Sequence, residues 1–235
     1  MRAGRLFGEG RSQDDDQWLS VSDLMAGLMV IFLFIAITYI RPIVEMQDTI
    51  REIVVAWKHS EFEIYKALEA EFRDDLPKWG ADLDQETLSI RFKSPEVLFD
   101  SATAILKLEF QEILSDFFPR YIKLLYEFRD AIDEVRIEGH TSSAWIGAQS
   151  AREAYFRNME LSQARTRAVL EYSLDLEESA QFEDWARKLI TANGLSSSQL
   201  IMTADGEDPV RSRRVEFRVR TNSKEQIVRV LETIE

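Results

Sequence analysis

The sequence predicts an α/β (α+β) domain preceded by a single transmembrane helix and a short parallel coiled-coil stalk. Three observations predict it. An apolar run near the N-terminus carries no formal charge from Leu24 to Ile40. Apolar residues then recur at three- and four-residue spacing from Ile43 to Ala67. Beyond residue 82, short alternating segments interleave with amphipathic ones. The boundaries that follow are a cytoplasmic tail over 1–18, a transmembrane helix over 19–41, a stalk over 42–72, a folded domain over 73–222 and a tail over 223–235.

Composition narrows the function classes. The 235 residues are 45% hydrophobic and 30% charged, with a net charge of −13. That length accommodates one sizeable soluble domain plus a membrane segment. So acidic a chain argues against direct nucleic-acid binding. It has no cysteine, which excludes disulfides and thiolate metal sites. Its two histidines, His59 and His140, stand far apart, so no histidine-rich metal site is expected. Sparse glycine and proline argue against a long disordered linker. No nucleophile–base spacing, phosphate loop or metal motif is present, so neither an enzyme nor a cofactor is expected.

The apolar run justifies the membrane helix. Leu19 to Ile40 makes about 33 Å of helix, and a hydrocarbon core is about 30 Å thick. A secretory signal would have a shorter apolar stretch and a small-residue cleavage site. The segment therefore reads as an uncleaved anchor of a single-pass protein. Arg2, Arg5 and Arg11 precede it, and Arg41, Arg51 and Lys58 follow. This bias leans towards a cytoplasmic N-terminus, leaving the bulk of the chain outside the cytoplasm.

Asp23 stands at the entry to that run, among Leu24, Met25, Leu28 and Met29. A carboxylate at the centre of a bilayer costs roughly 2.5–3.5 kcal/mol, and less near the ends. Chains tolerate that cost for an ion pathway or a buried partner. The alternative is that Asp23 merely sits among headgroups. Ala26 and Gly27 offer small surfaces for a neighbouring helix. One helix cannot form a pathway, so an ion role requires a partner membrane protein.

The stalk rests on Ile43, Met46, Ile50, Ile53, Trp57, Ile64 and Ala67, with Ser60 filling the missing place. This is an a/d seam over nearly four heptads, which suits a parallel homodimer. The alternative is a helix packed on the chain's own domain. Pro42 either kinks the helix or starts the stalk afresh.

In the domain, Leu88–Phe92, Val135–His140 and Val215–Arg220 alternate with period two and read as strands. Leu200–Thr203 reads as a shorter one. Phe110, Ile113, Leu114 and Phe117 keep helical spacing, with Pro119 breaking or restarting that helix. Leu161, Ala164, Ala168 and Val169 mark a second helix. Phe182–Ile190 marks a third, closed by Asn193-Gly194 as a C-cap pair.

Four blocks then carry a resemblance: Val97-Leu98-Phe99-Asp100-Ser101-Ala102, Ile137-Glu138-Gly139-His140-Thr141, Asn158 to Arg165, and Arg213-Arg214-Val215-Glu216-Phe217. Their order resembles the OmpA-like peptidoglycan-binding domain. Trp18 with Asp23-Leu24-Met25-Ala26-Gly27 resembles the membrane helix of MotB-type stator B-subunits. The resemblance implies a bacterial inner-membrane protein with a periplasmic C-terminal domain. It implies a homodimer of B-subunits inside five polytopic A-subunits, with Asp23 as the ion carrier and protons the expected ion. It further implies peptidoglycan contacts at Thr141, Ser142, Asn158, Leu161, Arg165 and Arg214.

The pattern departs in one place. The family usually reads Gly-His-Thr-Asp, and here Ser142 replaces the Asp. The loop from Ser142 to Asn158 is also longer than usual and contains Trp145 and Tyr155. Arg165 retains the means to bind a carboxylate bidentately. Either the longer loop supplies other ligands or wall binding has changed.

Bland readings stand beside these. Arg165 serves as a surface ion-pair residue, Asn158 as an N-cap, His140 as a turn-supporting hydrogen bonder, and the arginines at 211, 213 and 214 as partners of Glu207 and Asp208. The mixed N-terminal tail, compact stalk and Gly-His-Thr-Ser-Ser block look most like B-subunits of Zorya anti-phage defence systems. A flagellar-type stator and a passive envelope tether remain the alternatives.

Overall fold

A computed structural model describes residues 12–93, 98–100 and 102–222. The tail arginines Arg2, Arg5 and Arg11, the motif residues Val97 and Ser101, and the expected tail over 223–235 lie outside these, as do the side chains of Ile53 and Trp57. The chain divides into two compact units, with the division after Val54.

Helix α1 (Ser12–Phe72) begins in the first unit and continues through Pro42 without a break. From Val21 to Arg51 it is long and apolar enough to cross a membrane, and none of that window is buried. Leu24, Met29 and Phe34 are 70% exposed or more. Such a surface is stable only against lipid or another protein. Thr38 donates its hydroxyl to the Phe34 carbonyl at 2.7 Å, so this polar group is satisfied within the helix.

The second unit is built on a five-stranded sheet of order β1-β2-β7-β3-β4. Its strands are β1 (Ala81–Asp84), β2 (Ser89–Lys93), β3 (Ile132–His140), β4 (Ile190–Ser196) and β7 (Arg214–Thr221). Only the β3–β4 pair is parallel. Strands β5 (Met202–Thr203) and β6 (Gly206–Glu207) form a separate small hairpin. The helices are α2 (Leu108–Glu127), α3 (Ala151–Leu174), α4 (Glu183–Leu189) and the single turn α5 (Pro209–Ser212).

Alternation sorts the sheet into two faces. Ile90, Phe92, Ile137, Phe217 and Val219 point into the core. There the ring of Phe217 meets Phe117 at 5.0 Å and Tyr121 at 5.8 Å. The other face carries Arg91, Glu138, His140, Arg214, Glu216 and Arg218, as a period of two requires.

Several expectations change. Ile64, Leu68 and Phe72 at the end of α1 are fully buried in this core. The last turns of the expected stalk therefore belong to the folded domain. Arg120 of α2 holds them there, with Nε 2.7 Å from Glu71 Oε1, Nη2 2.8 Å from the Glu71 carbonyl, and its guanidinium over the Phe72 ring. Pro119 does not interrupt α2, which runs straight through it. Strand β1 was not anticipated. It is short, and its one buried apolar residue, Ala81, gives too weak an alternation to be seen.

Asn193-Gly194 is not a helix cap. It lies inside β4, opposite Glu138 and Gly139 of β3. A Cβ on Gly194 would stand 2.4 Å from the backbone nitrogen of Gln163, so the glycine is there to let α3 approach. Gly139 does the same beneath Ser162 and Thr166. The buried face of α3 is correspondingly small and polar: Asn158, Ser162, Thr166 and Ser173 with Ala154 and Val169. Of the four residues that apolar spacing pointed to, Val169 is buried, while Leu161, Ala164 and Ala168 are not.

Candidate functional site

A cavity of about 610 Å³ opens beside the end of β3 and the middle of α3. Thr141, Ser142, Asn158, Leu161 and Arg165 all line it. Four separate stretches of sequence thus meet at one place, since Phe99 and Ala102 come from the first block and Arg213 from the last. The cations around it are Lys107, Arg165 and Arg213, and no carboxylate lines it among the described residues.

Arg165 is fixed on two sides. Its Nε donates to the Thr103 carbonyl at 2.8 Å. Its guanidinium lies over the Phe99 ring, 4.8 Å from the centroid. Burial, and then the charge of Arg213, push its pKa down to about 10. Both causes disfavour the cation, and an anion in the cavity would relieve both. The Thr141 hydroxyl is buried and has no hydrogen-bond partner. An unsatisfied buried hydroxyl at a cavity wall is suited to meeting a ligand.

Asn158 sits in mid-helix, since α3 starts at Ala151 with Ser150 as its N-cap. The N-cap reading of Asn158 is therefore wrong. Its amide instead donates to the carbonyls of Ser142 and Ala144, at 3.1 and 3.2 Å. The stretch between Ser142 and Asn158 is only half loop; from Ala151 onward it is helix. Ser143 closes the loop's other side, giving both its amide and its hydroxyl to the Glu207 carboxylate.

No protein-family model matches the chain. It is 47% identical over 223 residues to the Zorya protein ZorB of Escherichia coli, covering 94% of this chain and 95% of that protein. The chain belongs to the ZorB family. Among solved structures it is similar to the cell wall anchor of the T6SS from Pseudomonas aeruginosa, at 26% identity and a TM-score of 0.45, over 66% of this chain and 96% of that one. A MotB-like protein from Desulfovibrio vulgaris matches at 22% identity and a TM-score of 0.48, over 73% and 95%.

The remaining expected site residues of this ZorB-family chain lie elsewhere. Asp23 is an exposed residue of α1, within the apolar window. Arg214 does not line the cavity. It is buried on the outer face of the sheet, with Nε 2.5 Å from Glu216 Oε1 and Nη1 donating to the carbonyls of Ser212 and Gln199. The neighbouring Arg213, read only as part of a basic cluster, occupies the cavity wall in its place. Strand alternation decides which of the two faces which way. Sequence reasoning also passed over Phe99 as a ligand-site residue, because a buried phenylalanine looks the same whether it fills a core or carries a guanidinium.

His140 does not support a turn by hydrogen bonding. Both its ring nitrogens lack a partner. Nε2 lies 3.8 Å from Glu138 and 3.7 Å from Glu216, too far for hydrogen bonds. Burial holds its pKa below the usual imidazole range, against the pull of Glu138. These three side chains bring ligand atoms within 4.8 Å of one another. Arg91, Arg214 and Arg218 already oppose the two carboxylates, at 3.2, 2.5 and 3.4 Å. A divalent cation would enter a site whose acids are spoken for, so the cluster reads as a buried ion-pair network.

Proposed function

We propose that this chain is the B-subunit of a Zorya ion-driven membrane motor, anchored to peptidoglycan by its α/β domain and carrying protons on Asp23. The observation that supports it best is the gathering of Thr141, Ser142, Asn158, Leu161 and Arg165 around one cationic cavity in a member of the ZorB family. A carboxylate of the wall's stem peptide would meet Arg165, with the Thr141 hydroxyl beside it. Asn158 would act by holding the loop carbonyls rather than by touching ligand.

In this reading the tail over 1–18 is cytoplasmic, the helix over 19–41 crosses the bacterial inner membrane once, and the domain is periplasmic, as the Lys/Arg bias favours. Residues 42 to about 60 form the parallel stalk of a homodimer. Two Asp23 side chains would then face a ring of polytopic A-subunits, five to two. Protonation would let each acid leave a polar partner, and release of the proton would restore the attraction.

The test is co-expression with a candidate polytopic A-subunit. Asp23→Asn keeps size and removes the titratable group. The complex should still assemble and bind sacculi, while proton flux and phage protection fall to background. Normal flux through the Asn variant would sink the carrier role. Failure of the unaltered protein to pellet with sacculi would sink the anchor role.

A further inference from the structure

We propose that the loop over 143–150 adds an apolar subsite to the cavity, with Trp145 as the residue that selects small aliphatic side chains on the same peptide whose carboxylate meets Arg165. This rests on the wall-binding reading above. The cavity is the starting point. At about 610 Å³ it falls in the range of about 300–1,000 Å³ typical of sites for whole small molecules. A single carboxylate at Arg165 would leave most of it empty.

Much of the remaining wall is apolar. Trp145, Ile146, Ala144, Ala102 and Leu161 all line the cavity. Ile146 is fully exposed and Trp145 half-buried, an arrangement that costs hydration unless something covers it. Neither floats. Residues 145–148 make a turn closed by the Ala148 amide on the Trp145 carbonyl, at 3.2 Å. Gly147 takes φ +85° at its third position, which that turn geometry demands. On one side the turn is tied by Asn158 and by Ser143 on Glu207. On the other, Gln149 donates its amide to Glu153 at 2.9 Å, and Ser150 caps α3. Such a wall is ordered before ligand arrives, so little ordering entropy opposes binding.

The lining favours methyl groups over a sugar. A sugar's hydroxyls must donate as well as accept, and no carboxylate lines the cavity to receive them among the described residues. The Asn158 amide is already committed to two loop carbonyls. An alanine side chain needs only contact, and each methyl buried against the wall strengthens binding by about fourfold.

The test uses the full-length protein in detergent and two synthetic tetrapeptides. One is L-Ala-γ-D-Glu-meso-diaminopimelate-D-Ala; the other has glycine in place of both alanines. The unaltered protein should prefer the alanine peptide by about fourfold or more. Trp145→Ala should abolish that preference, and Trp145→Phe should keep most of it. Arg165→Gln should weaken both peptides about tenfold while the preference survives. Absence of a preference in the unaltered protein, or its survival in Trp145→Ala, overturns the proposal. If the unaltered protein binds neither peptide nor sacculi, the wall-binding reading itself falls and this subsite with it.

Discussion

Two arginines of one domain, Arg165 and Arg214, sit in opposite electrostatic surroundings. Arg214 is met on every side it presents: a carboxylate at 2.5 Å and two backbone carbonyls. Arg165 has one carbonyl, one aromatic face and a second guanidinium nearby, with no carboxylate paired to it among the described residues. Both were candidates for ligand contact from sequence alone. What separates them is the sign of their neighbours, and Arg214 is also the more deeply buried. A buried charge with internal partners serves the fold, and one held in place without a counter-ion is a candidate to meet an anionic ligand.

The largest effect that would sharpen this contrast is Arg214→Ala. It strands the buried Glu216, which Arg214 holds below the usual carboxylate range despite the opposing effect of burial. Arg91 and Arg218 remain close, so the loss should be about 3 kcal/mol, the low end for breaking a buried pair. Thermal denaturation of the full chain in detergent measures it. A change within about 0.5 kcal/mol would break the comparison. Arg165→Gln should do the reverse: peptide affinity drops as described above, while stability shifts by no more than about 1 kcal/mol. A stability loss as large as that at Arg214 would make Arg165 a structural residue after all.

The smallest effect is in pH. Burial lowers the folded pKa of His140, so the unfolded chain binds that proton first. Stability from this source is complete above about pH 6.5 and declines as pH falls below it. Glu216 behaves alike at lower pH, its contribution fading below about pH 4.3. His140→Gln should flatten the stability profile as pH falls below about 6.5 and leave the steeper acid limb in place. An unchanged profile would show that His140 does not report on the network around it.

Much of this was legible in the sequence. Val215–Arg220 and Leu88–Phe92 announced their strands because one face is apolar and the other charged. The span announced itself by length. The gathering of Arg165, Leu161, Thr141 and Ser142 at one cavity was legible because the family resemblance fixed their spacing. What was not legible came from close packing. Helix α3 buries serine, threonine and asparagine because Gly139 and Gly194 bring its backbone down onto the sheet, so hydropathy found Val169 and missed the polar rest of that face. The same contact turned Asn193-Gly194 from an expected cap into strand. Arg213 and Arg214 differ by one position, and only the register of β7 tells which faces the cavity.

The end of α1 bears on how this protein can be dissected. Ile64, Leu68 and Phe72 are fully buried, and Arg120 fastens Glu71 in the helix's last turn and Asp75 just beyond it. A fragment begun at residue 73, where composition suggests the domain starts, would leave a trench where three large side chains belong. Each is worth roughly 1.5–3 kcal/mol of burial, together comparable to the entire stability of a modest domain. Any soluble fragment must therefore carry part of the helix with it, and the cut belongs upstream of Ile64.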